Sequence, residues 1–157
     1  YAALPYGNLL ETHRLHHQAP MSSIDPDFYA IDSTGHSATF LRWYRHFISQ
    51  YWNGREFLQL AVIVSLLSVG FKISLLNLGL LWGLPLLLSS LQLFYFGTYQ
   101  PHRGTIREFG DTVCANKSLP RAWFLSLLAC YHFSYHQEHH DHPDVPWWRL
   151  PALYESD

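Results

Sequence analysis

From Phe57 to Tyr99 the sequence runs FLQLAVIVSLLSVGFKISLLNLGLLWGLPLLLSSLQLFYFGTY, with Lys72 its only formally charged residue. As one helix at 1.5 Å per residue it would be about 60 Å long, twice the ~30 Å hydrocarbon thickness of a bilayer. Two crossings folded as a hairpin fit better, and the expectation is spans at about 57–71 and 76–96. Gly83 and Pro85 interrupt the second, where lost backbone bonding must be made good by packing and a kink is expected. A buried hairpin in a soluble protein would need far more polar surface around it than this chain supplies. The fold class expected is therefore all-α, a multispan membrane helical bundle forming one domain over 1–157.

A hairpin returns its ends to one side of the bilayer, so the segments before Phe57 and after Tyr99 share a compartment unless a further span intervenes. Nine of the ten Lys and Arg residues lie in those flanks. The excess of positive charge marks that face as cytoplasmic. Trp43, Tyr44, Tyr51 and Trp52 before the hairpin, and Tyr95, Phe96 and Tyr99 after it, suit an interfacial aromatic belt, although each could equally be core. The apolar stretch from Ala122 to His136 is short and reads as a partly inserted or re-entrant helix. Loops are expected at Ala19 to Gly35, Gly104 to Pro120 and His142 to Pro151, each rich in Pro, Gly, Ser or Asp.

Composition narrows the chemistry. The 157 residues are 48% hydrophobic and only 14% charged, with a net charge of −2, so the cationic field that binds a nucleic acid backbone is missing. No nucleic acid partner is expected. Cys114 and Cys130 lack metal-cage spacing and do not make a disulfide framework. The chain starts at Tyr1 and shows no basic stretch followed by a short apolar core, so no signal peptide is expected. Eleven histidines are the outlying number, and the chemistry is sought there.

One pattern occurs twice: H-R-L-H-H with His13, His16 and His17, and H-Q-E-H-H with His136, His139 and His140. On a helix, positions i, i+3 and i+4 share a face, so each box aims three imidazoles at a common centre. Neutral imidazole binds Zn, Cu, Fe and Ni, and residue type alone does not choose among them. Six convergent histidines exceed the four ligands that satisfy a closed zinc site, which points to two metal ions. Beside membrane helices, the reaction class that best uses such a centre is oxygen activation on a lipid-soluble substrate. His132, four residues before His136, would share its helical face and is a further candidate ligand. His102 in P-H-R-G is a candidate ligand or a partner to one. His36, His46 and His142 read as interfacial or loop residues. Metal-bound His usually donates its other N–H to a carboxylate or carbonyl, and Glu138, Asp141, Asp25 and Asp27 are available for this.

Two H-x-x-H-H boxes in a multispan chain resemble the membrane fatty acid desaturase and hydroxylase superfamily. FYFGTYQPHRG (Phe94 to Gly104) and YHFSYHQEHHDHPDVPWWRLP (Tyr131 to Pro151) are similar to the bacterial carotenoid ketolases, the β-carotene 4-ketolases. LHHQAPMSSIDPDFY (Leu15 to Tyr29) and LLWGLPLLLSSLQLFYFGTY (Leu80 to Tyr99) extend the likeness over essentially the whole chain. The resemblance implies an integral protein of a bacterial inner membrane, with its metal site on the cytoplasmic side. It implies two non-haem iron ions held by His13, His16, His17, His136, His139 and His140, with His132 matching the histidine just upstream of the last box. It also implies O2 as co-substrate, electrons from a donor such as ferredoxin, and β-carotene or a related carotenoid as substrate. Two hydroxylations at ring C4 followed by loss of water would give ketones such as echinenone and canthaxanthin.

The superfamily carries an earlier box of H-x3-H or H-x4-H type, and nothing before His13 supplies it. The expectation is a fragment whose opening helices and first box are absent, inactive alone, with activity in the intact protein. Two other functions share these motifs: a carotenoid or fatty acyl hydroxylase or desaturase, and a non-catalytic membrane metal-binding protein. Trp147 and Trp148 are expected to anchor the segment after the last box at the interface or to lid the site.

Overall fold

The computed structural model describes residues 4–20, 22, 24–29, 38–102, 118–119 and 122–155, and every regular element among them is helical. The chain runs through α1 (Tyr6–Gln18), α2 (Phe40–Tyr51), α3 (Gly54–Ser65, continued by a π-helical turn Leu66–Gly70) and the long α4 (Leu75–His102). Short helices α5 (Trp123–Leu128), α6 (His136–Asp141) and α7 (Leu150–Tyr154) complete it. The expected loop Gly104–Pro120 lies outside the described residues except at Ser118 and Leu119, as do His36 and the stretch from Ala30 to Gly35, and Cys114 lies outside them too.

Helix starts follow side-chain chemistry. Asn53 Oδ1 accepts the Arg55 N–H at 2.9 Å, and Ser74 Oγ accepts the Asn77 N–H at 3.1 Å, each satisfying a donor that a first helical turn leaves unpaired. Between them the chain reverses at Lys72, whose φ of 56° is left-handed, and the Ile73 N–H reaches back to the Leu67 carbonyl at 3.1 Å. The single charge of the apolar run thus sits at the tip of the reversal.

The two arms differ from the sequence expectation. α4 spans 28 residues with mean hydropathy 1.5, and among the described residues it is the one helix long and apolar enough to cross a membrane. The first arm, Gly54 to Gly70, is about 25 Å long at 1.5 Å per residue and does not meet that test, so of the two stretches expected as crossings, 76–96 lies within a helix of membrane length and 57–71 does not. The arms are splayed, with a groove of about 1040 Å3 between them lined by α3 residues such as Leu60 and Ile63 and by Leu78, Trp82 and Leu86 of α4. Neither arm is a core hairpin: α3 buries none of its residues, and Leu81 of α4 is 78% exposed. The interruption at Gly83 and Pro85 takes the form of a π-helical turn, Gly79–Gly83. There the Leu84 N–H donates to the Gly79 carbonyl, so the helix widens before the proline and continues.

The core lies elsewhere. Trp43, Phe47 and Tyr51 recur every four residues on one face of α2, are almost fully buried, and pack with Leu4 and Phe94. Trp43 and Tyr51 are therefore core, not belt. A second π turn in α4, Phe94–Tyr99, packs against α2, and from there α4 turns inward: Phe94, Gly97, Thr98, Pro101 and His102 are all buried, whereas before it only Ser90 is. This brings the end of the apolar helix to the histidine boxes.

The stretch Ala122 to His136 is not one helix. α5 stops at Leu128, and Cys130, Tyr131 and His132 follow with φ of 63°, 55° and 64° before α6 begins at His136. Left-handed backbone costs an L-residue about 1–2 kcal/mol, and none of the three is Gly or Asn. The re-entrant helix expected from the sequence is replaced by two short helices joined through this turn. His132 and His136 consequently do not share a helical face.

Candidate metal centre

α1 presents the first box as its spacing requires, and α6 presents the second. The two helices bring their Nε2 atoms together in two groups. In the first, His17 Nε2 lies 3.1 Å from His13 Nε2 and 3.1 Å from His139 Nε2, and the third edge, His139 to His13, is 3.4 Å. In the second, Nε2 atoms form a string: His16 to His140 at 3.1 Å, His140 to His136 at 3.1 Å, and His136 to His102 at 3.2 Å. The ligand-ready nitrogens of His16, His102 and His136 all lie within 4.8 Å of one another. Stacked rings of His17 and His140, with centroids 4.2 Å apart, join the two groups.

These contacts suit a cation better than hydrogen bonding. Each Nε2 carries either one N–H or one lone pair. In a triangle, whatever the tautomers, at least one edge sets two lone pairs or two N–H groups against each other. A metal ion satisfies all three lone pairs at once, so the residues fit the metal that the paired boxes imply.

Electrostatics point the same way. Burial, followed by repulsion from neighbouring imidazoles, lowers His13 to about 3, His139 to about 4 and His140 to about 2. The same causes hold His136 well below the usual 6.5, and burial with the nearby His16 lowers His17. At neutral pH these rings are uncharged and their lone pairs are available to a metal.

Orientation comes from the core. His16 Nδ1–H donates to Asp25 Oδ2 at 2.8 Å in a buried pair, which turns its Nε2 lone pair toward the cluster. Asp25 Oδ1 accepts the Asp27 N–H at 2.9 Å, and Asp27 Oδ1 accepts the Tyr51 hydroxyl at 2.5 Å. The Trp43 indole N–H donates to the Asp27 carbonyl at 2.9 Å. Burial raises the Asp27 carboxyl, and the Tyr51 bond opposes that rise. The aromatic face of α2 is thus also the donor row that holds the two aspartates.

The remaining sequence candidates separate. His102, at the inner end of α4, joins the second group. His132 joins neither: its Nδ1 pairs with Ser126 Oγ at 2.9 Å, and its ring lies among Trp123, Tyr135 and Trp147. Glu138 is buried but accepts from Ser118 Oγ, tying that segment to α6 and not orienting a histidine. Asp141 and His142 are exposed, and His46 stacks on Tyr29 with centroids 4.4 Å apart. Trp147 and Trp148 contact each other, and Trp147 covers His132, not the metal-ready clusters.

A cavity of about 40 Å3 adjoins His13, His16 and His136, walled by Leu9, Phe47, Leu93, Gly97 and Phe133. That volume holds a water or a diatomic molecule, and a cyclic hydrocarbon is far too large for it. Gly97 keeps the wall thin, because a Cβ there would meet the Phe133 ring at 3.3 Å.

Two histidine boxes folded into adjoining metal-ready clusters at the inner end of a membrane-length helix define a histidine-box metalloprotein. The chain belongs to the fatty acid desaturase family, a membrane-bound family whose sequence model matches residues 2–156. It is 41% identical over 152 residues to the beta-carotene ketolase of Paracoccus sp. strain PC1, covering 96% of this chain and 59% of that protein. It is 40% identical over 153 residues to the beta-carotene ketolase of Paracoccus sp. strain N81106, covering 97% and 60%. The zeaxanthin 4-ketolase of Chlamydomonas reinhardtii is 34% identical over 155 residues, covering 96% and 33%. The chain spans about three fifths of the length of the two bacterial relatives. No solved structure gives a significant match.

Proposed function

We propose that this chain carries the iron centre of a membrane oxygenase that converts the C4 methylene of a carotenoid β-ionone ring to a ketone. The observation that carries the reading is the convergence of both H-x-x-H-H boxes, with His102, into two nitrogen clusters. The similarity to ketolases supplies the substrate class. One iron would be held by His13, His17 and His139. The other would be held by His16, His102 and His136, with His140 in contact with His16 and His136 and stacked on His17. Iron at these nitrogens supplies open coordination positions and the redox change that activates dioxygen.

The protein's own residues prepare that chemistry. Low proton affinity keeps the imidazoles of His13, His17, His136, His139 and His140 free for metal at neutral pH. Asp25 fixes the His16 ring, and the row formed by Asp27, Tyr51 and Trp43 fixes Asp25. Phe47, Leu93 and Phe133 keep bulk water from the small cavity, which has room for O2. The exposed apolar sides of both arms suit lipid, and the excess of Lys and Arg in the flanks supports a cytoplasmic position for the clusters at a bacterial inner membrane. A polyene ring reaches the site from the hydrocarbon layer. Each methylene takes two O2, four electrons and four protons, and yields one ketone and three waters through a geminal diol. The electrons come from a reduced carrier such as ferredoxin.

The test is expression of the whole gene product in bacteria that accumulate β-carotene, with pigments identified by chromatography and mass spectrometry. Products that gain one oxygen and lose two hydrogens per ring are expected. Hydroxylated rings would reassign the protein as a hydroxylase, and unchanged carotenoid with an iron-loaded protein would overturn the carotenoid reading.

A further inference from the structure

His132 has the spacing of a ligand but the surroundings of a strut. It is fully buried, its Nδ1 pairs with Ser126 Oγ at 2.9 Å, and Ser126 Oγ pairs in turn with Ser134 Oγ at 2.6 Å. Its backbone is engaged at both ends: the His132 N–H donates to the Ser126 carbonyl at 2.9 Å, and its carbonyl accepts the Tyr135 N–H at 3.0 Å. These bonds bracket the left-handed run Cys130 to His132, which ends three residues short of α6. α6 itself has six residues and no side-chain cap, so it has little capacity to set its own direction.

We infer that His132, clamped by Ser126 and Ser134, is a positioning residue: it locks the left-handed turn that aims His136, His139 and His140 at the first box, and it is not itself a metal ligand. The inference rests on the metal-site part of the proposed function and not on the carotenoid part. Trp147, with its ring centroid 5.9 Å from that of His132, and Trp123, at 5.3 Å, keep water from the clamp. In a water-free site the Ser126 bond is not exchanged for solvent, so losing either partner releases the turn.

The roles of ligand and strut part company in a set of variants of the whole gene product, purified from membranes and assayed for iron per protein. Asn tolerates left-handed backbone better than other non-glycine residues, and its amide reaches where Nδ1 stands but not where Nε2 does. His132→Ala and Ser126→Ala are each expected to lower bound iron several-fold, the double variant no further than either single, and His132→Asn is expected to restore most of it. Tyr131→Gly, which removes strain from an exposed position of the turn, is expected to recover part of the loss in the Ser126→Ala background. If His132→Asn is as iron-poor as His132→Ala while Ser126→Ala keeps its iron, His132 is a ligand and the inference falls. It also falls if Ser126→Ala and His132→Ala reach the membrane with normal iron. A protein that shows the expected iron pattern but leaves β-carotene unchanged would overturn the carotenoid reading and leave this one standing.

Discussion

The two histidine boxes have the same spacing and different support. The first lies within α1, thirteen residues long, where helical periodicity alone aligns His13, His16 and His17. The second lies on α6, six residues long and reached through three left-handed residues, so its direction comes from contacts outside the helix. The outer parts differ again. His16 is tied to Asp25 and through it to the α2 core, whereas Nδ1 of the buried His136 has no hydrogen-bond partner among the described residues. One motif can therefore be held by local helix geometry or by tertiary restraint, and the two should respond differently to perturbation.

The largest effect falls on the shared centre, where the difference should vanish. His16→Ala and His136→Ala are both expected to abolish iron binding and product formation, measured by metal analysis and pigment chromatography. Full activity in either would break the assignment of both boxes to one centre. Next comes the support of the first box: Asp25→Asn is expected to lower metal affinity about 10–100-fold, the usual consequence of losing an outer partner of a ligating histidine. Asp141→Asn, on the exposed side of α6, is expected to change nothing in the same titration.

Acid sharpens the comparison further. His13, His139 and His140 take up protons at about 3, 4 and 2 in the folded chain and near 6.5 when unfolded. Between those values the unfolded state binds more protons, so stability of the metal-free protein rises with pH and is lost as pH falls below about 6.5. Denaturation of metal-free protein from pH 7.5 to 4.5 should show that slope, and a flat profile would contradict the neutral, buried state of the rings. Tyr51→Phe removes the donor to Asp27 and is expected to destabilise by about 1–3 kcal/mol, read as a shift in thermal midpoint. Apart from the Asp141→Asn control, the smallest effect is expected from Gly97→Ala. Its Cβ would press on Phe133 at 3.3 Å and narrow the cavity beside His13 and His136, lowering kcat modestly with iron content unchanged.

Much of this was legible in the residues. The apolar run, its charged turn at Lys72 and the i, i+3, i+4 faces of both boxes depend on local periodicity. The role of Asp25 was foreshadowed by residue type, since a buried imidazole ligand needs an acceptor. His102 was visible as a candidate but carried no spacing signal; the π turn Phe94–Tyr99 and the inward end of α4 bring it to His136. The i, i+4 spacing of His132 and His136 suggested a shared face, and the left-handed turn removes the helix on which that inference depends. Trp43 and Tyr51 had the composition of an interfacial belt, and packing of α2 against Phe94 made them core.

By itself the sequence determined an all-helical chain with an apolar hairpin and two three-histidine faces, because helix periodicity and hydrophobicity act within a few residues of their source. Only the tertiary structure decided how the nitrogens group, with His13 and His17 meeting His139 while His16 meets His140, His136 and His102. It also decided that the hairpin arms stand apart and that His132 faces a serine. Those outcomes depend on contacts between residues as much as 126 positions apart, whose geometry is set by the packing of whole helices and by a turn that local preference disfavours.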